Sequence, residues 1–241
     1  MVGSGLLTPR EDLADVNHRL DGAKPWDVLR WAVEEYYPKL TMATAFGPEG
    51  CAILQMLSEI EPRVRVFNLD TGYQFRETLQ LRDRIAEKYG IEVEMVRHEQ
   101  PVAEYEASNR GPVYTHDPDR CCRERKLGPM IRAIEGYEAW ISSIRADQSA
   151  HRARVSVVLW DAKFGLMKIN PLLRWSHRDV WAYVMANDIP YNPLHNQGYP
   201  SIGCWPCTRA VVAGETDERA GRWAGQAKTE CGLHSMDSSQ L

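Results

Sequence analysis

Apolar residues recur with two alternating periods along most of the chain. After a polar opening, read as a loosely attached arm or a short helix over about residues 1–25, Trp26, Leu29, Val33 and Tyr36 stand at helical spacing. They predict a helix from Asp27 to Tyr37, stopped by Pro38. Thr41 to Phe46 is a short apolar run that breaks at Gly47-Pro48-Glu49-Gly50, and helical periodicity resumes from Cys51 to Ile60. The unit repeats at once. Val64 to Leu69 reads as a buried strand, Asp70-Thr71-Gly72 as a turn, Gln74 to Tyr89 as a helix ended by Gly90, and Ile91 to Val96 as a third strand. Cys121 to Ile134 predicts a helix and Ala139 to Ile144 a strand, with Arg145 to Ser149 leaving its carboxyl end. Val155 to Leu159 and Leu166 to Ile169 alternate like paired strands, and Ser176-His177-Arg178-Asp179 opens a last helix with a capping-box pattern.

Strands alternating with helices imply an α/β fold whose largely parallel, twisted sheet is covered on both faces. Ligands of such sheets bind beyond the carboxyl ends of the strands, where the loops after the first two strands fall. The expected organisation is the arm, one α/β domain over 26–212, and a tail over 213–241 with too little apolar material for a core. No internal repeat or low-complexity tract interrupts it.

Composition narrows the function. A length of 241 residues suits one large domain, and 44% hydrophobic with 26% charged residues is ordinary for a globular chain. No apolar run is long enough to span a bilayer, and the amino terminus lacks a basic stretch followed by an apolar core, so a cytoplasmic location is expected. In that reducing compartment six cysteines argue for metal binding or redox catalysis and against a disulfide framework. A net charge of -4 gives no general attraction to nucleic acid, so an anionic ligand must meet a local cluster of cations.

The cysteines divide into a set and a remainder. Cys204-Trp205-Pro206-Cys207 and the adjacent Cys121 and Cys122 make four thiols of the kind that hold zinc or an iron-sulfur cluster. A C-x-x-C pair alone also serves dithiol redox chemistry, but that reading leaves the upstream pair unexplained. Neighbouring cysteines point apart, which suits a centre with several irons better than one tetrahedral zinc, usually served by ligands two to four positions apart. Of the remaining two, Cys51 reads as a small buried helix residue, while Cys231 sits on the polar tail.

Three stretches, Cys121-Cys122-Arg123-Glu124-Arg125-Lys126, Gly203-Cys204-Trp205-Pro206-Cys207-Thr208 and Glu230-Cys231-Gly232-Leu233-His234, together resemble the iron-sulfur type of assimilatory adenylyl-sulfate reductase, within the PAPS/APS reductase family. Leu69 to Phe75 and Ser143 to Ser149 also match, so the resemblance spans about residues 41 to 234. It implies an adenine nucleotide alpha hydrolase-like, PP-loop-type fold and a 4Fe-4S cluster on Cys121, Cys122, Cys204 and Cys207. It further implies reduction of adenosine 5'-phosphosulfate to sulfite and AMP in sulfate assimilation and cysteine biosynthesis, with thioredoxin as reductant. Relatives that use the 3'-phosphorylated nucleotide usually lack the cluster cysteines.

Cys231 is then the nucleophile, carried on a mobile tail because it must meet a nucleotide in one step and a protein in the next. Phe46, Gly47, Asp70, Thr71 and Gly72 are expected around the nucleotide, Lys126, Arg145, Arg219 and Arg222 around its phosphosulfate, and His234, near Cys231 in sequence, also among the substrate-binding residues. A Ser commonly precedes Phe-Gly in the family, whereas this chain has Ala45. Many clustered members are oligomers, which admits a homo-oligomer here. The competing enzyme readings are a clustered reductase of the 3'-phosphorylated nucleotide and an iron-sulfur ATP pyrophosphatase that thiolates its substrate. The latter normally carries a Ser-Gly-Gly-type loop that Phe46-Gly47-Pro48 lacks. A non-enzymatic sensor would need no sixth thiol on the tail.

Overall fold

The computed structural model describes residues 12–226, 228 and 230–234. Its first element is helix α1 (Leu13–Leu20), within the stretch read as an arm or a short helix, of which positions 1–11 lie outside the described residues. The Asp12 side chain accepts from Ala14 N and caps it, while Val16 and Leu20 enter the core. Then follow α2 (Pro25–Tyr36), β1 (Leu40–Ala43), α3 (Pro48–Ile60), β2 (Arg65–Asp70), α4 (Arg76–Tyr89) and β3 (Val93–Arg97). After α5 (Val102–Ser108), a helical run combines α6 (Pro118–Cys122), a π-helical turn (Arg123–Leu127) and α7 (Gly128–Ala133). The chain continues through β4 (Ala139–Ile141), β5 (Val158–Asp161), β6 (Leu166–Ile169) and α8 (His177–Ala186).

The six strands form one sheet in the order β3-β2-β1-β4-β6-β5, parallel except for the antiparallel pair of β5 and β6. Side chains of successive strand residues leave opposite faces, and each face has its own core. Leu40, Met42, Val66, Ala139, Ile141, Met167 and Ile169 join one cluster with residues of α1, α2, α3, α4 and α8. The alternate positions Phe67, Leu69, Trp140 and Leu166 join Met130, Ala133 and Ile134 on the other face. Both faces are thus covered, which is why the strands read as apolar runs. The edge strand β5 is blunted by α1, where the Asn17 amide donates to Val158 O at 2.7 Å and accepts from Val158 N at 3.0 Å.

Two local expectations change. The helix expected from Gln74 begins at Arg76, beyond a further extended stretch. The first strand stops at Ala43, and the chain turns through Phe46 at φ 57°, buried, before Gly47 and Pro48 open α3. The Phe46 carbonyl accepts from the thiol of Cys51, which is fully buried and pushed up to about 12 by burial, so Cys51 is the small helix residue expected of it. Among the described residues no helix is long and apolar enough to cross a membrane.

Candidate active site

The carboxyl ends of β1, β2 and β4 open into two adjoining cavities. One is mostly apolar and lined by Thr44, Asn68, Leu69, Thr71, Met130 and Trp140 among others. The second is the more polar of the two and contains Gly47, Arg152, Arg219, Arg222, Glu230 and Cys231. Ala45, Lys126, Ser143, Ile202, Gly203, Leu233 and His234 line both, so they form one bipartite recess. Ser143 places a side-chain hydroxyl at the junction where Ala45 has none.

The four clustered thiols face a third space on the other side of Lys126. Cys121 and Cys122 end α6, which Asp117 caps through Arg120 N, and the π-helical turn behind them is anchored by buried Arg125. Its guanidinium donates to Thr71 O at 2.7 Å and lies 5.5 Å and 4.9 Å from the rings of Tyr73 and Tyr105. The Cys204 loop is stitched to the same segment by a bridge between Gln74 and Cys204 and by Trp205 N donating to Tyr73 O at 2.8 Å. Thr71 Oγ1 lies 3.2 Å from Cys204 Sγ. All four cysteines therefore line one narrow cavity, together with Lys126 and Arg222.

The donor set in that cavity fits a thiolate-bound inorganic centre. Burial first, and then the neighbouring sulfurs, push Cys121 up to about 12. Burial likewise pushes Cys122 up to about 11 and raises Cys207. Thiols held so are poor thiolates unless a metal replaces their protons. Among the described residues no three His, Cys, Asp or Glu side chains converge closely enough for a single metal ion. The four sulfurs therefore share a cavity without the tight convergence of a mononuclear site.

Cys231 behaves oppositely. Burial alone would raise its thiol, yet Lys126, the backbone N–H of Leu233 and Arg222 outweigh burial and Glu230, and hold it below the ordinary value. Lys126 stays cationic although burial opposes it, because the sulfurs of Cys204, Cys231 and Cys122 raise its pKa. A nucleophilic sulfur with cations beside it is equipped to attack an anionic electrophile.

The tail lies closed over this recess. Trp223 is buried, with the Arg222 guanidinium 4.5 Å from its ring, and Leu233 packs against the core that holds Phe67 and Trp140. His234 stacks on Trp140 at 5.8 Å, its carbonyl lies 3.0 Å from His151 Nε2, and Lys163 Nζ donates to Gly232 O at 2.5 Å. Lys228 reaches across to Asp119 on the helix of the paired cysteines. Gly203 leaves room for the tail, since a Cβ there would meet Arg222 Nη2 at 2.1 Å.

The expected site residues sort by place. Cys231, Lys126, Arg219, Arg222, His234, Gly47 and Thr71 line the joined recess. Phe46, expected at the nucleotide, is buried and lines neither cavity. Asp70 and Gly72 line a separate recess, where Asp70 pairs with Arg97 at 2.7 Å. Arg145 is 1% exposed and engaged by Glu49, by Asp147 at 2.8 Å and by Glu218 at 3.2 Å. That network ties the strand end to α3 and to the tail, and keeps the guanidinium off the cavity wall. Asn68, Trp140 and Arg152, which line the recess, and Lys168, 3.3 Å from the His234 ring, went unnoticed in the sequence because each reads as an ordinary strand or turn residue there. His151 and His177, given no role from sequence, contact or approach the tail.

Docking of the tail is expected to depend on pH through His234. Burial, and then Lys168, Arg152, Arg219 and Lys163, hold its pKa well below the ordinary value, so the docked ring is neutral. A ring released to solvent takes up a proton near pH 6.5, about its free value. Docking is therefore unaffected above about pH 6.5 and weakens as pH falls below it, the undocked state then binding the extra proton. Thermolysin cleavage of the tail should accelerate between about pH 7.5 and 5.5 relative to His234→Asn at each pH. Parallel profiles for the two proteins would contradict this.

The comparisons with known proteins agree with this geometry. The sequence model described as "Phosphoadenosine phosphosulfate reductase domain" matches residues 39–210. The chain is 46% identical to a Gloeobacter violaceus protein named phosphoadenosine 5'-phosphosulfate reductase, over 88% of each chain. It is 44% identical to adenosine 5'-phosphosulfate reductase 2 of Bacillus subtilis, over 86% of this chain and 88% of that one. Among solved structures, a phosphoadenylyl-sulfate reductase from Candida auris in a phosphate complex superposes with TM-score 0.74 at 31% identity, covering 87% of this chain and 100% of that one. A parallel sheet with a bipartite recess at its carboxyl edge, a cation-flanked cysteine on the tail and these matches place the chain in the phosphoadenosine phosphosulfate reductase family.

Proposed function

We propose that the protein reduces adenosine 5'-phosphosulfate to sulfite and AMP, with thioredoxin as the electron donor, in assimilatory sulfate reduction. The observation that carries this reading is the position of Cys231. It lies in the polar half of the recess with Lys126, Arg219 and Arg222, next to an apolar half suited to a nucleoside. The phosphosulfate then occupies the cationic half and the adenosine the apolar half.

Cys231 Sγ attacks the sulfate sulfur, the bond from sulfur to the bridging phosphate oxygen breaks, and AMP leaves with that electron pair. The product is an S-sulfonated Cys231. A thioredoxin thiolate attacks Cys231 Sγ and expels sulfite, forming a mixed disulfide. The second thioredoxin thiol resolves it, restoring the Cys231 thiol and leaving thioredoxin oxidised by two electrons. Lys126, Arg219 and Arg222 neutralise the substrate's charge, and Lys126 holds the attacking sulfur as thiolate. The tail from 213 onward closes for the first step and swings out for the second.

Cys121, Cys122, Cys204 and Cys207 would hold a 4Fe-4S cluster, in which each of two adjacent thiolates can serve a different iron. When bound it supplies a structural tie between the helix of Cys121 and the Cys204 loop, and a fixed charge beside Lys126. The choice of the substrate without a 3'-phosphate rests on this complete cysteine set and on relatives such as the Bacillus subtilis protein. The name of the Gloeobacter violaceus relative makes the 3'-phosphorylated nucleotide the second substrate to compare.

The test is intact mass spectrometry of anaerobically purified, iron-loaded protein mixed with adenosine 5'-phosphosulfate and no thiol, with AMP measured in the same tube. One sulfonate on Cys231 matched by AMP is expected, and thioredoxin should then release sulfite. Bound nucleotide without adduct or AMP would overturn the reading.

A further inference from the structure

The tail contributes a carboxylate to the recess that the chemistry above leaves unused. Glu230, directly before Cys231, points its Oε2 at two guanidinium groups, accepting from Arg152 Nη2 at 3.1 Å and from Arg219 Nη2 at 3.2 Å. The side chains of Arg152, Glu230 and Arg219 are 7%, 16% and 17% exposed, so the attraction is only partly screened by water. Yet the contacts are loose. Arg152 Nη2 stands 3.1 Å from both carboxylate oxygens and Arg219 Nη2 3.2 Å from Oε2, lengths beyond the roughly 2.7–2.9 Å of well-formed charge-assisted bonds. Arg152 Nε is buried without a hydrogen-bond partner among the described residues. Planar forks with several donors each are better matched by an anion that carries several oxygens.

The place of this trio adds to the argument. Arg152 and Arg219 line the cavity that holds Cys231 and Lys126, where the substrate's anionic end must lie for attack to occur. Arg145, the other arginine at the end of β4, is committed to Glu49, Asp147 and Glu218. Among the described residues Glu49 and Glu218 are held by Arg145, and Glu230 is a carboxylate that meets both Arg152 and Arg219. Two buried cations facing each other without a counter-charge would be costly, and the carboxylate that the tail brings to them offsets that cost.

We propose that Glu230 is an internal stand-in for the substrate's oxyanion. In the nucleotide-free enzyme its carboxylate occupies a subsite made by Arg152 and Arg219, and it yields that subsite to the sulfate or phosphate oxygens as the nucleotide enters. This rests on the reductase reading above, and it adds Arg152 to the residues that receive the substrate. Substrate affinity is then set by a competition between two anions for the same donors.

The competition has a sign that a purely structural role for Glu230 would reverse. In a Cys231→Ser background, which removes the chemistry, Glu230→Gln should bind adenosine 5'-phosphosulfate about tenfold more tightly, because the internal competitor is gone. Glu230→Asp, which keeps the charge, should stay near the parent. Adding Arg152→Met to Glu230→Gln should abolish the gain. Equilibrium dialysis under anaerobic conditions reads all four proteins. A Kd that is unchanged or raised in Glu230→Gln would overturn the proposal, since a carboxylate serving as a tail tether predicts weaker binding when it is lost. A gain that survives Arg152→Met would overturn the assignment of the subsite.

Inorganic sulfate is the second probe, and it separates this proposal from the reductase reading. Tighter sulfate binding by Glu230→Gln, lost on Arg152→Met, sustains the subsite even if wild-type protein forms no sulfonate on Cys231. No gain for either anion, alongside normal sulfonation of the wild type, would sink the stand-in role and leave the reductase intact.

Discussion

Cys231→Ser is expected to abolish sulfite formation, with turnover lower by on the order of 10⁴-fold or more. The thiol of Cys231 is held below its ordinary pKa by Lys126, the Leu233 amide and Arg222, against the opposing effects of burial and Glu230. None of those groups can bring a serine hydroxyl within reach of ionisation at neutral pH. A serine that did accept the sulfonyl group would hold it through oxygen, leaving no side-chain sulfur whose attack by the thioredoxin thiolate could expel sulfite. The loss should therefore fall on chemistry alone. Nucleotide affinity should stay within a few-fold of wild type, and iron content should not change, because Cys231 lies outside the cavity of the four clustered thiols. Turnover within about tenfold of wild type would move the attacking sulfur elsewhere.

The second large effect is expected at Lys126. It is the side chain common to the apolar cavity, the polar recess of Cys231 and the cavity of the four cysteines. Burial opposes its charge, but Cys204, Cys231 and Cys122 more than offset this and raise its pKa. The same pairing lowers the Cys231 thiol, so one ammonium supports the nucleophile and faces the incoming anion. Lys126→Met should reduce kcat/KM by about 10² to 10³-fold, the scale of losing one preorganised charge in a site shielded from water. It should also move the midpoint of Cys231 alkylation to higher pH. Lys126→Arg should recover only part of the activity, because a planar fork does not place its charge where the ammonium sits. A loss of rate with an unmoved alkylation midpoint would confine Lys126 to substrate binding.

How much of this was legible beforehand differs from element to element. Val66, Phe67 and Leu69 announce a strand covered on both faces, because side chains with period two must leave opposite sides of a sheet and all three are apolar. The break at Gly47 and Pro48 announces the helix start just as directly, since proline fits the first turn of a helix. The π-helical turn behind Cys121 and Cys122 was not legible, as its sequence is compatible with an ordinary helix and its geometry depends on Arg125 reaching Thr71. Arg145 shows the same limit. Its place at a strand end was foreseeable, but its burial under three carboxylates depends on Glu49 and Glu218, distant in sequence.

The sequence by itself determined the α/β class, the loops that face the ligand edge, the division of the cysteines and the isolation of Cys231 on an apolar-poor tail. These follow from local periodicity and from residue types whose chemistry does not depend on neighbours. Only the tertiary structure decided which cations face the recess, that Arg152 replaces Arg145 there, and that Glu230 and His234 dock against Arg219 and Trp140. Those outcomes depend on pairings between the tail and strand ends far away in the chain. Such pairings are selected by desolvation and charge compensation in a closed space, and no local pattern of residues encodes them.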